Sequence, residues 1–342
     1  MFKLPARFSL RPLKRFFPRE FRELEVRAER LTSAEKRLFG ARVRRIGGRF
    51  DSFGRLLKAR DYGGLDAFLF SREELPFSGK EYWFMHFASR RGRDQLILTF
   101  GRSQGEAFVN GKRVSGDRVA AVCWQNASGK TRTLLEDVVR LRQEPGLLKA
   151  EKFAFKGSFP DYEFAAPGCR LRLKPRKAGA PFEVTRDFLG GMGLGCTNLF
   201  VEANGMLAGK KFSGEGFIQK VVAVVPFVPW NWVRVTFPDR SGFDYFAPAA
   251  GFVNSAHWWN RDGRQRAVRG ASLERLGGDR WLLQGDNFHA LLRSYAAKPF
   301  VLRGRGEFHY DEFMVECVDA SFGNRERGRG AGIVEDAYGL ML

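Results

Sequence analysis

A chain of 342 residues with 44% apolar side chains is long enough for two domains with sizeable cores. Lys and Arg number 58 against 38 Asp and Glu, a net of +20, and residues 1–50 hold 15 basic against five acidic residues. No apolar run reaches the roughly 20 residues that span a bilayer, and the start lacks a secretory leader's apolar stretch. The pattern therefore argues against a helical membrane protein. A cytoplasmic location is expected, peripheral to a membrane at most. The four cysteines, at 123, 169, 196 and 317, form no CxxC pair and sit near no His at ligand spacing. Free thiols are expected, with no metal and no cofactor.

Residues 1–50 read as a basic arm and a short helix. Phe2, Leu4, Phe8, Leu10, Leu13, Phe16 and Phe17 interleave with Arg7, Arg11, Lys14, Arg15 and Arg19, and Pro5, Pro12 and Pro18 break any long helix. Such a segment suits an anionic membrane surface, with rings in the interface and cations on phosphates. It suits equally an arm packed across the body of the protein. Thr32 and Glu35 fit a capping box, so a helix is expected to about Arg45, ended by Gly47 and Gly48.

From Glu81 the apolar period becomes two. Residues 81–87, 95–100, 106–111, 119–125, 147–156, 162–166 and 169–174 read as strands, with turns at Arg91-Gly92 and Asn110-Gly111. Thr131–Leu141 reads as a helix-like stretch. The Pro- and Gly-rich segment 174–181 is the best boundary, giving a first barrel over 51–178 and a second over 179–342. In the second half, strands are expected at 197–203, 206–212, 215–225, 230–237, 243–248, 264–269, 281–284, 290–295 and 313–322. Nearly all the predicted elements are strands with tight turns, which predicts a mostly β fold, a barrel or a sandwich; two antiparallel barrel halves are expected. Gly190–Gly195 departs from the dinucleotide-binding pattern and reads as a flexible connector.

Few residues stand out for chemistry. His257 lies beside Trp258 and Trp259, where desolvation would keep an imidazole neutral. It reads also as an ordinary strand residue among barrel-filling rings. Alternation puts His86 on the face opposite Trp83. Glu215, Phe217 and Gln219 share one face of a strand. If that face is inward, Glu215 is a desolvated acid; if not, it is a rim carboxylate. Glu335 alternates with Ile333 in the last strand and reads as barrel closure.

Three stretches carry a family resemblance. They are Glu81–Phe87 with Leu96–Phe100, Gly157–Tyr162 leading to Leu171–Leu173, and Gly214–Lys220 followed by Pro226–Trp232. In their order and spacing the chain resembles the lipocalin-like superfamily of carotenoid 1,2-hydratases, tocopherol cyclases and fungal Diels–Alderase-type cyclases. The resemblance implies two lipocalin-like halves and a large apolar ligand such as an isoprenoid, carotenoid or prenyl-quinone. It implies acid-assisted hydration or cyclisation, with Glu215 or His257 as the acid. Trp83, His86, Phe217, Gln219, Trp230, Trp232, Trp258 and Trp259 are then the expected ligand contacts. One departure matters: Gln219 stands where the cyclase pattern has an acid, and an amide cannot protonate an alkene. A non-catalytic lipid carrier is the alternative. Specific nucleic-acid binding is not expected, because no motif for it is present.

Overall fold

The computed structural model describes residues 63–341 apart from 74, 76–78, 91, 177–183, 186–192, 225–226, 228, 249–254, 263 and 324. The basic arm and the helix expected at 32–45 lie outside them. The described residues are almost all strand, arranged as two antiparallel sheets of 12 strands each. No helix among them is long and apolar enough to cross a membrane.

The first sheet runs, edge to edge, through Lys130–Arg140, Arg118–Ala127, Gln95–Ser103, Gly79–Ser89, Lys210–Val224, Gly193–Leu207, Cys169–Pro175, Asp161–Ala166, Phe153–Ser158, Leu147–Ala150 and Arg142–Glu144. Its two edge strands are consecutive in the chain, joined by Leu141 alone, so the edges are drawn together and the sheet curls into a barrel. The second sheet runs through Gln265–Ala267, Ser255–Trp259, Gly242–Pro248, Trp230–Thr236, Gly330–Met341, Gly306–Phe322, Phe288–Gly304, Arg280–Gly285 and Ser272–Gly277. There, too, the edge strands are neighbours in sequence, linked through residues 268–271. A hairpin from the first half, Ala107–Val109 with Lys112–Val114, pairs with Phe288–Gly304 and so ties the two sheets by backbone hydrogen bonds.

The change of sheet comes between Val224 and Trp230. The Pro- and Gly-rich segment is a connection within the first sheet, because Gly193–Leu207 returns to pair with Cys169–Pro175. Three of the residues expected as a flexible connector, Gly193–Gly195, are already in that strand. The separate strand expected at 206–212 is instead a tight turn at Ala208-Gly209, both at positive φ, within a long hairpin. Thr131–Leu141 is no helix: Lys130–Arg140 pairs with Arg118–Ala127. Its Thr and Val residues are β-branched and favour a pleated surface.

Three clusters make up most of the described core. One cluster fills the first barrel around Trp83, Phe87, Phe100, Phe155 and Phe164, and a second fills the other barrel around Val233, Trp258, Trp281 and Val315. The third lies where the sheets meet and contains Phe84, Trp124, Phe200, Phe217, Trp232, Trp259 and Met314. Strands beside this seam are buried on both faces. Gly79–Ser89 shows it, with odd residues in the barrel and even ones in the seam. Outer strands such as Cys169–Pro175 alternate between core and solvent. Gly332 lets the last strand close on Trp230–Thr236. A Cβ there would overlap the Arg234 carbonyl oxygen and lie 2.7 Å from Val235 Cα.

The first barrel is plugged. The helix Gly63–Leu69 is held by side chains reaching from the barrel wall. Trp83 Nε1 donates to Leu69 O at 2.8 Å, and Tyr162 OH donates to Asp66 at 2.5 Å. Lys220, fully buried, donates to Phe68 O at 2.8 Å and Ser71 O at 2.6 Å and pairs with Glu81 at 2.9 Å. Arg102 Nε donates to the other Glu81 oxygen at 2.8 Å. These donors, with Ser71 Oγ on Phe68 O and Gln143 Nε2 on Ser71 O, satisfy carbonyls at and just beyond the helix end.

Candidate functional site

The seam is built from two facing rows of side chains. Antiparallel register sets Phe200, Phe217, His86, Ile97, Trp124 and Thr133 side by side across the first sheet. Register likewise sets Trp232, Glu335, Glu312 and Lys298 side by side across the second. The rows touch in matching order. Phe217 meets Trp232 at 5.6 Å between ring centroids, Trp124 Nε1 donates to Glu312 at 2.5 Å, and Lys298 donates to Thr133 at 3.3 Å. His86 stands beside Phe217 in the first row, within reach of the Arg234 charge.

Glu312 and Glu335 are direct cross-strand partners and both are buried. Tyr310 OH lies 3.2 Å from Glu312 Oε1 and 2.7 Å from Glu335 Oε1. Indole N–H groups hold the two outer oxygens: Trp124 for Glu312, and Trp230 for Glu335 at 2.9 Å. A phenol has one proton to donate. It can bond both carboxyls only if one of them donates back, so the arrangement stores a proton. Electrostatics agrees. Burial, then the neighbouring Glu335 charge, pushes Glu312 up to about 8. Burial, partly opposed by the indole and phenol hydrogen bonds, pushes Glu335 up to about 7. Two carboxyls cannot both ionise cheaply side by side in a dry site.

A buried cation stands beside the pair. Arg234 is bound to Asp244 and lies over the rings of Phe217, Trp232 and Phe200 at 4.4, 4.9 and 5.1 Å. Trp232 Nε1 donates to the same Asp244 at 3.2 Å. The rim of the seam is ionic. Arg93 and Arg293 hold Glu316, Lys298 holds Glu136, and Arg240 reaches Glu202 at 2.7 Å. An aromatic interior with a charged rim is the anatomy of a protein–protein interface drawn inside one chain.

The residues singled out in the sequence divide among these places. His86, Phe217, Trp232 and Trp259 share the seam. Trp230 joins it through Glu335 and stacks on Phe308 at 5.1 Å. Gln219 is half-buried on the same strand face, opposite Phe84. Trp83 is in the core of the first barrel and Trp258 in that of the second, stacked on Phe322 at 5.1 Å. His257 lies across from Asp244 in the register, with Ser255 Oγ 3.3 Å from its Nδ1. Glu215 faces a cluster of guanidiniums: Arg176 at 3.0 Å, Arg240 at 3.4 Å and Arg90 at 3.5 Å. Burial pushes its carboxyl up while these cations oppose the shift. A carboxylate in three ion pairs makes a poor proton donor.

Sequence reading missed Tyr310, Glu312, Trp124 and Arg234. The strand expected from Phe313 starts at Gly306, and its inner face reads Phe308, Tyr310, Glu312, Met314. An acid at an apolar period-2 position was the available signal. The barrel interiors expected to hold a ligand are filled by their own side chains. An open groove of about 840 Å³ near Lys156, Tyr162, Arg170 and Met206 contains none of the singled-out residues.

No protein-family profile matches the chain, and no curated protein matches it. Solved structures do. A protein described as ATTH from Nitrosomonas europaea is 10% identical, with 78% of this chain and 92% of that one covered and a TM-score of 0.48. CghA with Sch210972 is 14% identical, with 77% and 89% covered and a TM-score of 0.46. CghA alone is 14% identical, with 77% and 88% covered and a TM-score of 0.45.

Proposed function

We propose that the seam binds a large apolar ligand of the isoprenoid, carotenoid or prenyl-quinone class, and that the Glu312–Tyr310–Glu335 unit protonates one of its double bonds. The observation that supports this reading most is the stored proton: two buried carboxyls bridged by one phenol inside an aromatic seam. Glu312 replaces Glu215 as the acid in this proposal, because Glu215 is locked in ion pairs. The ligand enters by parting the sheets, where the rim ion pairs are partly exposed to water and weakened by salt.

The step is simple acid catalysis. Glu312 gives its proton to one alkene carbon, leaving a carbocation on the other. The rings of Trp230, Trp259 and Phe84 stabilise the cation through their faces. Water then adds and loses a proton, which gives hydration, or a second double bond attacks and a proton leaves, which gives cyclisation. In either case the proton lost restores the carboxyl.

Incubation of the protein with lycopene and with a prenylated hydroquinone, followed by mass analysis, tests the reading. A product heavier by one water, or an isomer of the starting ligand, is expected. A ligand that binds and returns unchanged identifies a carrier. No quenching of Trp emission by either compound contradicts both readings.

A further inference from the structure

The seam contains a second polar unit that the carboxyl pair does not use. His86 Nε2 lies 2.6 Å from Gln95 Oε1. Gln95 Nε2 reaches Tyr295 OH and, at 3.3 Å, Val315 O. Tyr295 OH in turn donates to Arg93 O at 3.1 Å. The backbone carbonyl of Val315 can only accept, so the Gln95 nitrogen is the donor there, and its oxygen faces His86. An amide oxygen can only accept too. His86 Nε2 therefore carries a proton.

The ring is also neutral. Burial, and the nearby Arg234 cation, push His86 down to about 4 despite the Gln95 bond. A neutral imidazole with Nε2–H has a lone pair on Nδ1. Among the described residues nothing hydrogen-bonds that atom. His86 is packed edge-on against Phe217 at 5.4 Å, the ring that also meets Trp232 of the second sheet. The seam thus offers a fixed hydrogen-bond acceptor on one wall and a proton donor on the other.

We propose that His86 Nδ1 accepts a hydrogen bond from a hydroxyl group on the otherwise apolar ligand, with Gln95 as the residue that positions it. This rests on the seam being the ligand site. It narrows the ligand class to alcohols and phenols and excludes pure hydrocarbons and ethers as preferred ligands. A ligand hydroxyl anchored at His86 sets which double bond lies near Glu312.

Binding of retinol and of retinyl methyl ether, read by quenching of Trp emission, tests the proposal together with the imidazole nitrogen resonances of His86. One hydrogen bond gained is worth about tenfold in affinity, so retinol should bind about tenfold tighter than the ether. His86→Phe should erase that preference. At pH 7 the free protein should show Nε2 protonated and Nδ1 bare, and retinol, but not the ether, should shift the Nδ1 resonance. That shift decides the matter if His86→Phe does not fold. Equal binding of the two probes, or a proton on Nδ1 in the free protein, overturns the acceptor role and leaves the seam reading standing. Binding of neither probe overturns both.

Discussion

Replacing Lys220 by methionine is expected to destabilise the protein by about 3–5 kcal/mol, the usual cost of removing one partner from a buried ion pair. Methionine fits the space and keeps the contact with Trp83 and Phe68, whose rings lie 5.0 and 4.5 Å from the ammonium. What is lost is charge. Glu81 keeps Arg102 as its close cationic partner, and the carbonyls of Phe68 and Ser71 keep only neutral donors, among them Ser71 Oγ and Gln143 Nε2. Urea unfolding measures the loss. The double variant Lys220→Met, Glu81→Gln should recover part of it, because the uncompensated carboxylate is gone. A loss under about 1 kcal/mol for the single variant would mean that water reaches the barrel mouth and that the helix Gly63–Leu69 is no tight plug.

Glu312→Gln is expected to lower turnover of a converted ligand by about 10²–10⁴-fold, the range that general acid catalysis supplies, while affinity changes little. The amide keeps an acceptor for Trp124 and offers a donor to Tyr310, as the protonated acid does. The same substitution has a pH signature. The folded protein holds Glu312 at about 8, above its ordinary value near 4.5. Between those values the folded state binds more protons than the unfolded state, so this group's contribution to stability falls as pH rises. The fall is about 1.4 kcal/mol per pH unit and ends near pH 8. Wild type and Glu312→Gln should therefore be similarly stable near pH 5, and the variant should be the more stable near pH 8. Glu335 acts in the same direction up to about 7. His86, held down near 4, acts oppositely between about 4 and 6.5, and Lys80, held near 7 by burial, acts oppositely above 7. His86 and Lys80 remain in both proteins, so the difference reports Glu312 together with its coupling to Glu335. Parallel curves for the two proteins would show that Glu312 is ionised when folded.

The β architecture was legible because turn signals and period-2 runs are local. Gly79–Ser89 and Gln95–Ser103 could be read directly, since their aromatic and branched residues fill two cores at once. Thr131–Leu141 could not, because the strand Lys130–Arg140 is exposed on both faces over its first four residues and so shows no clean apolar alternation. Where the chain changes sheet could not be read, because pairing across 169–207 is long-range and leaves no local mark. At the site, Phe217, Trp232, Trp259 and His86 were recognisable as rings on shared faces. Whether a face looked into a barrel or into the seam was not. That distinction separates Trp83 from His86, and it depends on a second sheet more than 100 residues away. Glu335 reads from the sequence as barrel closure, and its place beside a second carboxyl required Tyr310 and Glu312 on the neighbouring strand.

The central claim is that a neutral carboxyl waits beside the ligand in the seam. Infrared difference spectroscopy at pH 7 reads a protonated carboxyl by its own carbonyl band. The wild type should show such a band, Glu312→Gln should lose the part that Glu312 contributes while Glu335, held at about 7, keeps its own, and addition of retinol should shift the Glu312 part in the wild type alone. A wild type with no protonated carboxyl band at pH 7, or a band that retinol leaves unmoved while its binding quenches Trp emission, would contradict the account.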